Sequence, residues 1–188
     1  MLRDDMRALN EVEQSIVRQY TSSNPSNIFP FGGAAYELNN KLRCGQVLTP
    51  EQVEFKIALF NLIKYPLSED MTVYRAVANN DELQQICPGS SFSYPAFMST
   101  SSSPNHIFTH LKTHETTKPI GCICTVSVPE GVPALIIGGN EHEILFRPGH
   151  KIEVIDICDG DLANNQLINP VARKEFSELW EVKLKILE

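Results

Sequence analysis

The chain changes texture once, near residue 70, and that change limits what it can fold into. Before it, apolar residues recur at helical spacing; after it, short β-branched and aromatic runs are broken by Pro-Gly, Gly-Gly and serine clusters. Leu9, Val12, Ile16 and Tyr20 are three or four apart and mark an amphipathic helix over about the first twenty residues. A second helix is expected from Ala34 to Cys44, with Leu38 and Leu42 on one face and Gly45 placed to end it in a left-handed cap. Thr49-Pro50-Glu51-Gln52 joins a capping box to a proline at the first helical position, and Val53, Ile57, Leu59, Phe60 and Ile63 follow at helical period. Three helices thus precede the first strand. Strands are expected at Thr72–Ala76, Ala96–Ser99, Cys122–Val128, Ile144–Phe146, Lys151–Ile157 and Trp180–Ile186, with short helices over 81–87 and 104–112. In the last strand Trp180, Val182, Leu184 and Ile186 alternate with Glu181, Lys183 and Lys185, as a half-solvated strand should.

At 188 residues and 42% hydrophobic composition, one good core is feasible and two large domains are not. The chain therefore reads as one α+β domain, residues 1–66 forming a helical lobe and 71–188 a β-rich core. A net charge of −7 leaves no general basic surface to displace counterions, which argues against non-specific binding to nucleic acid or an anionic membrane. An anionic ligand would have to be held by a few placed arginines. The cysteines, Cys44, Cys87, Cys122, Cys124 and Cys158, are odd in number and lack a C-x-x-C pair, so they read as reduced core thiols. Cys122 and Cys124 share one face of a strand. The Met-Leu-Arg-Asp-Asp start has no apolar stretch of the secretory type, and no run is long enough to span a membrane.

Three islands carry chemistry: Val73-Tyr74-Arg75, Phe97-Met98-Ser99-Thr100-Ser101 and Glu141-His142-Glu143-Ile144-Leu145. A fixed guanidinium suits a phosphate, hydroxyls suit an orienting network, and two carboxylates can stabilise a sugar cation and accept a proton. NAD has parts to match all three. Each island also has a plainer reading. Arg75 can face water from an edge strand, Ser99 to Ser103 can be a serine-rich turn, and Glu141 and Glu143 can be solvated charges beside a Gly-Gly-Asn hairpin. Against the last stands the position of Glu143, directly before Ile144-Leu145-Phe146, where a carboxylate would be half desolvated. His106, His110 and His114 lie four apart, but successive helical turns would separate the outer two by about 12 Å, too far for one closed zinc site, so no metal is expected.

Taken in order, the islands resemble the R-S-E signature of the mono-ADP-ribosyltransferases, in the branch holding bacterial actin-modifying toxins, type III effectors and vertebrate arginine-specific ectoenzymes. The resemblance extends to Leu38-Asn39-x-x-Leu42-Arg43-x-Gly45, similar to a helical I-N-x-x-L-R-x-G segment of that family, and to Ile-Leu-Phe-Arg-Pro-Gly after Glu143. It implies a helical lobe packed on two roughly perpendicular mixed sheets, with NAD as substrate in the cleft.

By the same resemblance Arg75 would hold the NAD phosphates or nicotinamide ribose, and Arg43 with Asn39 would reach the adenylate side. Ala76 replaces a glycine whose backbone meets the nicotinamide amide, which alanine tolerates only at negative φ. Ser99, in the Ser99-Thr100-Ser101 cofactor-facing triplet, would orient Glu143, and Phe108 would stack near nicotinamide. Glu143 would stabilise the oxocarbenium-like ribose. Glu141 would align an arginine of a protein acceptor, because a guanidinium is a poor nucleophile until a carboxylate takes its proton. The segment before it, Ala134 to Asn140, reads as a loop without the aromatic clamp of many relatives, which leaves a Ser or Thr hydroxyl acceptor open.

The rivals are an NAD glycohydrolase, in which water replaces the acceptor, and a binding module that keeps the cleft without activity. Acidic charge, reduced thiols and the bacterial-looking Pro-Gly after the last island suggest a secreted bacterial effector that acts in the cytosol of a target cell, exported without a Sec-type signal.

Overall fold

The computed structural model describes residues 5–79, 87–110, 120–138, 142–161 and 176–187, with backbone alone at 78–79, 108–110 and 120. Its helices are α1 (Glu11–Thr21), α2 (Ala34–Arg43) and α3 (Pro50–Leu62), preceded by a 3-10 turn at Asp5–Ala8. Two of them start from capping boxes. At α1, Asn10 Oδ1 accepts from Glu13 N at 3.0 Å while Glu13 Oε2 accepts from Asn10 N at 2.9 Å. At α3 the expected Thr49–Gln52 box is formed reciprocally, both bonds at 3.3 Å, with Pro50 in the first turn. Gly45, at φ 62°, follows α2 as expected.

The buried helix faces differ in part from the sequence reading. Val17 and Tyr20 are the core residues of α1, whereas Val12 is exposed; on α3, Phe55, Leu59 and Leu62 point inward and Val53 and Ile57 outward. A buried polar cluster ties the lobe together. Gln52 Nε2 donates to Ile28 O at 3.0 Å and to Glu37 Oε1 at 2.9 Å, while Lys41 donates to Gln52 Oε1 at 3.0 Å and pairs with Glu37 at 3.4 Å. Among the described residues, no helix is long and apolar enough to cross a membrane.

The strands are β1 (Tyr65–Pro66), β2 (Met71–Asn79), β3 (Ser91–Ser93), β4 (Met98–Ser101), β5 (Ile120–Val128), β6 (Pro133–Gly138), β7 (Glu143–Phe146), β8 (Lys151–Asp159) and β9 (Glu178–Leu187). They run in the order β1-β6-β7-β4-β2-β5-β9-β8-β3, with β5 and β9 parallel and the other pairs antiparallel. All nine strands form one sheet, in which the two expected sheets correspond to the stretches β1-β6-β7-β4 and β2-β5-β9-β8-β3, only the second of them mixed. One residue pair, Tyr74 with Ser101, joins them. Three strands differ from the sequence reading: β1 and β3 were not expected, and β6 occupies much of the stretch read as a loop.

Alternation along the first half explains the layering. Phe97, Leu135 and Leu145 face the helices and pack with Tyr20, Phe29, Leu38 and Leu59. Met98, Ile136, Ile144 and Phe146 face the other way and meet Val73, Cys122, Val126, Val182 and Ile186 of the second half. The first half is thus the middle layer, coated by helices on one side and strands on the other. Cys122 and Cys124 are buried here as expected, but Cys44, Cys87 and Cys158 are exposed, so only two of the five are core thiols. Their chain positions explain it: Cys44 caps a helix end and Cys158 lies near the end of β8. Trp180 packs partly buried against the inter-sheet core.

Candidate active site

The hydroxyl triplet lies inside β4 rather than after it, because the strand runs on through Ser101. Across it, Ser101 pairs with Glu143, Thr100 with Ile144 and Ser99 with Leu145. The pleat therefore turns Ser99, Ser101 and Glu143 toward the helical lobe and Thr100 away from it. Thr100 Oγ1 donates to Ile144 O at 2.9 Å, which fastens the two strands from behind. Glu143 is half-buried at the first position of β7, as its sequence context suggested.

Arg75 belongs to β2, which lies between β4 and β5, so the edge-strand reading is excluded. Its guanidinium is 5.4 Å from the Tyr94 ring centroid, and Nη1 donates to Ser99 O at 3.3 Å. The contact carries the cation of one sheet half onto the serine strand of the other.

Behind Ser99 stands Tyr20, which the sequence reading had placed only as a helix-face apolar residue. Its hydroxyl is 3.3 Å from Ser99 Oγ and accepts from Asn39 Nδ2 at 2.8 Å. Burial pushes the Tyr20 phenol up to about 12; the Ser99 and Asn39 hydrogen bonds oppose this, the Glu143 charge adds to it and the Arg75 charge opposes it. One buried hydroxyl therefore senses both the carboxylate and the guanidinium. Tyr94 was likewise not anticipated; neither tyrosine sits in a motif.

Other expected residues fall as follows. Asn39 is buried, and its amide is committed at both ends, Nδ2 to Tyr20 and Oδ1 to Phe97 N at 3.0 Å. Arg43, one turn further along α2, is half-buried, and its side chain makes no hydrogen bond or ion pair with a described residue. Ala76 is buried against Ile107 and Leu179, and among the described residues the one non-glycine at positive φ is His142, so Ala76 meets the condition set for replacing glycine. Phe108 lies in the 3-10 turn Pro104–His110, its side chain outside the described atoms. Glu141 and His114 lie outside the described residues. His142, at φ 49°, accepts from Ser102 N at 3.1 Å and its ring is 5.1 Å from that of His106. Among the described residues, no group of three or more His, Cys, Asp or Glu could hold a metal ion.

A helical lobe on a mixed sheet, with arginine and glutamate strands brought together through one serine strand, is the layout of an NAD-dependent ADP-ribosyltransferase, and this enzyme is of that class. The chain belongs to the ADP-ribosyltransferase exoenzyme family, whose model matches residues 4–169. Solved structures agree in fold. Plx2a, an ADP-ribosyltransferase toxin from Paenibacillus larvae, is 16% identical at a TM-score of 0.67, over 97% of this chain and 89% of that one. C3larvin, from the same organism, is 18% identical at a TM-score of 0.64, over 97% of this chain and 98% of its own. BECa, an ADP-ribosylating toxin of C. perfringens solved with NADH, is 14% identical at a TM-score of 0.68, over 97% of this chain and 45% of that one. No curated protein matches the chain by sequence.

Proposed function

We propose that this enzyme moves a single ADP-ribose unit from NAD to an arginine side chain of a protein, with release of nicotinamide. The observation that carries the reading is the convergence of the arginine and glutamate strands on one serine strand, with Arg75 Nη1 bonded to Ser99 O and Glu143 paired across from Ser101. A relative of the same fold solved with NADH supports a dinucleotide in the corresponding cleft.

Each residue then has one task. Arg75, steadied by Tyr94 and Ser99, turns the rest of its N–H fork toward the phosphate side of NAD. Glu143 holds negative charge where positive charge develops at the ribose as the bond to nicotinamide stretches, and half-burial strengthens that interaction. Ser99 orients Glu143, and Ser101 and Thr100 fix the strand pair that presents both. Glu141, two residues earlier, takes the proton from the acceptor guanidinium; this assignment rests on sequence position alone. The acceptor is a protein of a target cell, reached after secretion.

The test is nicotinamide release together with transfer of labelled ADP-ribose to protein in a cell lysate. Glu143→Gln is expected to lose both by about a hundredfold or more. Glu141→Gln is expected to keep nicotinamide release while losing protein labelling, and mass spectrometry should place the label on arginine. Label on another residue type would overturn the acceptor assignment, and nicotinamide release with no labelled protein from the unaltered enzyme would make it a glycohydrolase.

A further inference from the structure

Four groups, Asn39 and Tyr20 of the lobe with Phe97 N and Ser99 on the sheet side, form a hydrogen-bond chain whose direction follows from what each can donate. The Phe97 backbone N–H can only donate, so the Asn39 amide must turn Oδ1 toward it, at 3.0 Å. That choice points Nδ2, a donor, at the Tyr20 hydroxyl, 2.8 Å away. Tyr20 thus receives a hydrogen bond from Asn39, and among the described residues its own proton has one acceptor in reach, Ser99 Oγ at 3.3 Å. Tyr20 is fully buried, and a buried O–H without an acceptor is costly, so the phenol donates to Ser99. Ser99, having accepted, is left with its own proton to give. Its side chain shares the lobe-facing side of the β4–β7 pair with Glu143, one diagonal step away.

We infer that Tyr20 is a positioning residue for the transfer reaction: held by Asn39, it fixes the direction of the Ser99 hydroxyl so that Ser99 presents its proton to the Glu143 carboxylate. The inference rests on the reading of Ser99 and Glu143 given above. The high proton affinity of the buried phenol keeps the relay in its neutral, donating form at any physiological pH. Phe97 supplies the reference for the whole chain twice over, through its N–H and through its ring, which meets the Tyr20 ring edge-on with centroids 5.8 Å apart. The helical lobe is therefore part of the machinery that aims the glutamate, in addition to any surface it offers to NAD.

Tyr20→Phe removes the hydroxyl and keeps the ring packed on Phe97. The expected result is a kcat for nicotinamide release lower by about tenfold, the scale of one lost hydrogen bond in a buried network, with KM for NAD nearly unchanged. In a Ser99→Ala background the same substitution should cost nothing further, because the relay is already cut. Asn39→Asp is the second probe: a carboxylate still accepts from Phe97 N but no longer donates to Tyr20, so Tyr20 donates to it and draws the Ser99 proton away from Glu143. It should lower kcat as Tyr20→Phe does, and combining the two should be no worse than either alone. Wild-type kcat in Tyr20→Phe, or an undiminished loss in the Ser99→Ala background, would overturn the inference. Glu143→Gln in the same assay separates the two readings. If that variant stays active, the assignment of the site fails; if it is inactive while Tyr20→Phe keeps the wild-type kcat, the relay alone fails.

Discussion

Tyr74 pairs with Ser101, and Ser101 pairs on its other side with Glu143, so a single row of backbone partners crosses from the arginine strand to the glutamate strand. Arg75 is one residue along from this row. Two inter-strand spacings set the row's width at about 10 Å, a span that separates a phosphate-binding cation from a ribose-facing carboxylate without bringing them into contact. The two charges are thus positioned by main-chain pairing, and their side chains have only the final few ångströms to settle.

Replacing Arg75 with lysine tests how much of its role needs the planar fork. Arg75→Lys keeps the charge but gives up the geometry that lets one edge donate to Ser99 O while the rest faces a phosphate. KM for NAD should rise by about tenfold or more, with the melting temperature little changed, in steady-state assays of nicotinamide release. An unchanged KM would show that Arg75 acts as a point charge.

Gly33 is the sharpest steric constraint on the lobe. It sits at φ 83° at the head of α2, and an added Cβ would meet Ser22 O at 2.3 Å. Gly33→Ala should therefore destabilise the protein by at least about 2 kcal/mol in urea unfolding, from backbone strain plus displacement of the segment after α1. Gly45→Ala makes the control. Gly45 also has positive φ but nothing within 4 Å of the added atom, so the cost should stay near 1 kcal/mol.

Alkaline titration gives a reading of Tyr20 that needs no substrate. Its phenol is raised from 10.0 to about 12, so between those values the folded chain holds a proton that the unfolded chain has released. Stability from this group is complete below pH 10 and declines as pH rises through the window. The difference in phenolate absorbance between wild type and Tyr20→Phe should be absent at pH 10 and appear near 12 or together with unfolding. A transition at 10 would mean the hydroxyl is solvated.

His150 contributes on the acid side. Burial, followed by the neighbouring Arg147 charge, lowers its proton affinity below the ordinary value of 6.5, and its buried Nε2 has no hydrogen-bond partner among the described residues. The unfolded state therefore binds more protons below pH 6.5, so this share of stability is present above that value and is lost as pH falls through the folded value. His150→Phe should flatten the drop in melting temperature on going from neutral pH toward pH 5, relative to wild type. Equal slopes in calorimetry at the two pH values would refute this.

What was legible in the sequence was whatever chemistry is local. The Thr49 capping box and the alternation of β9 were both readable because the interacting residues are neighbours in the chain. Arg75, Ser99 and Glu143 stood out as motif residues. β1 and β3 were not legible because strands of two and three residues have no period, and β6 because a strand with Ala134, Leu135 and Ile136 all buried shows no alternation. The outward turn of Val53 and Ile57 depends on where α3 docks, which helical spacing cannot tell. The contacts of Tyr20 and Asn39 were not legible for the same reason on a larger scale: Tyr20 meets Ser99 across 79 positions of sequence, and Asn39 meets Phe97 across 58.

One further contact spans more of the chain than these. Asp5, buried in the opening turn, accepts from Ile136 N at 2.8 Å across 131 positions. A nascent chain leaving the ribosome has its first helix available early, yet that helix has no strand to dock on until β4 and β6 have emerged. Folding is thereby weighted toward high contact order, with slow closure and late appearance of the finished groove. Premature termination before residue 136 should yield a product with no transferase activity at all, so synthesis passes through no partly working version of the enzyme.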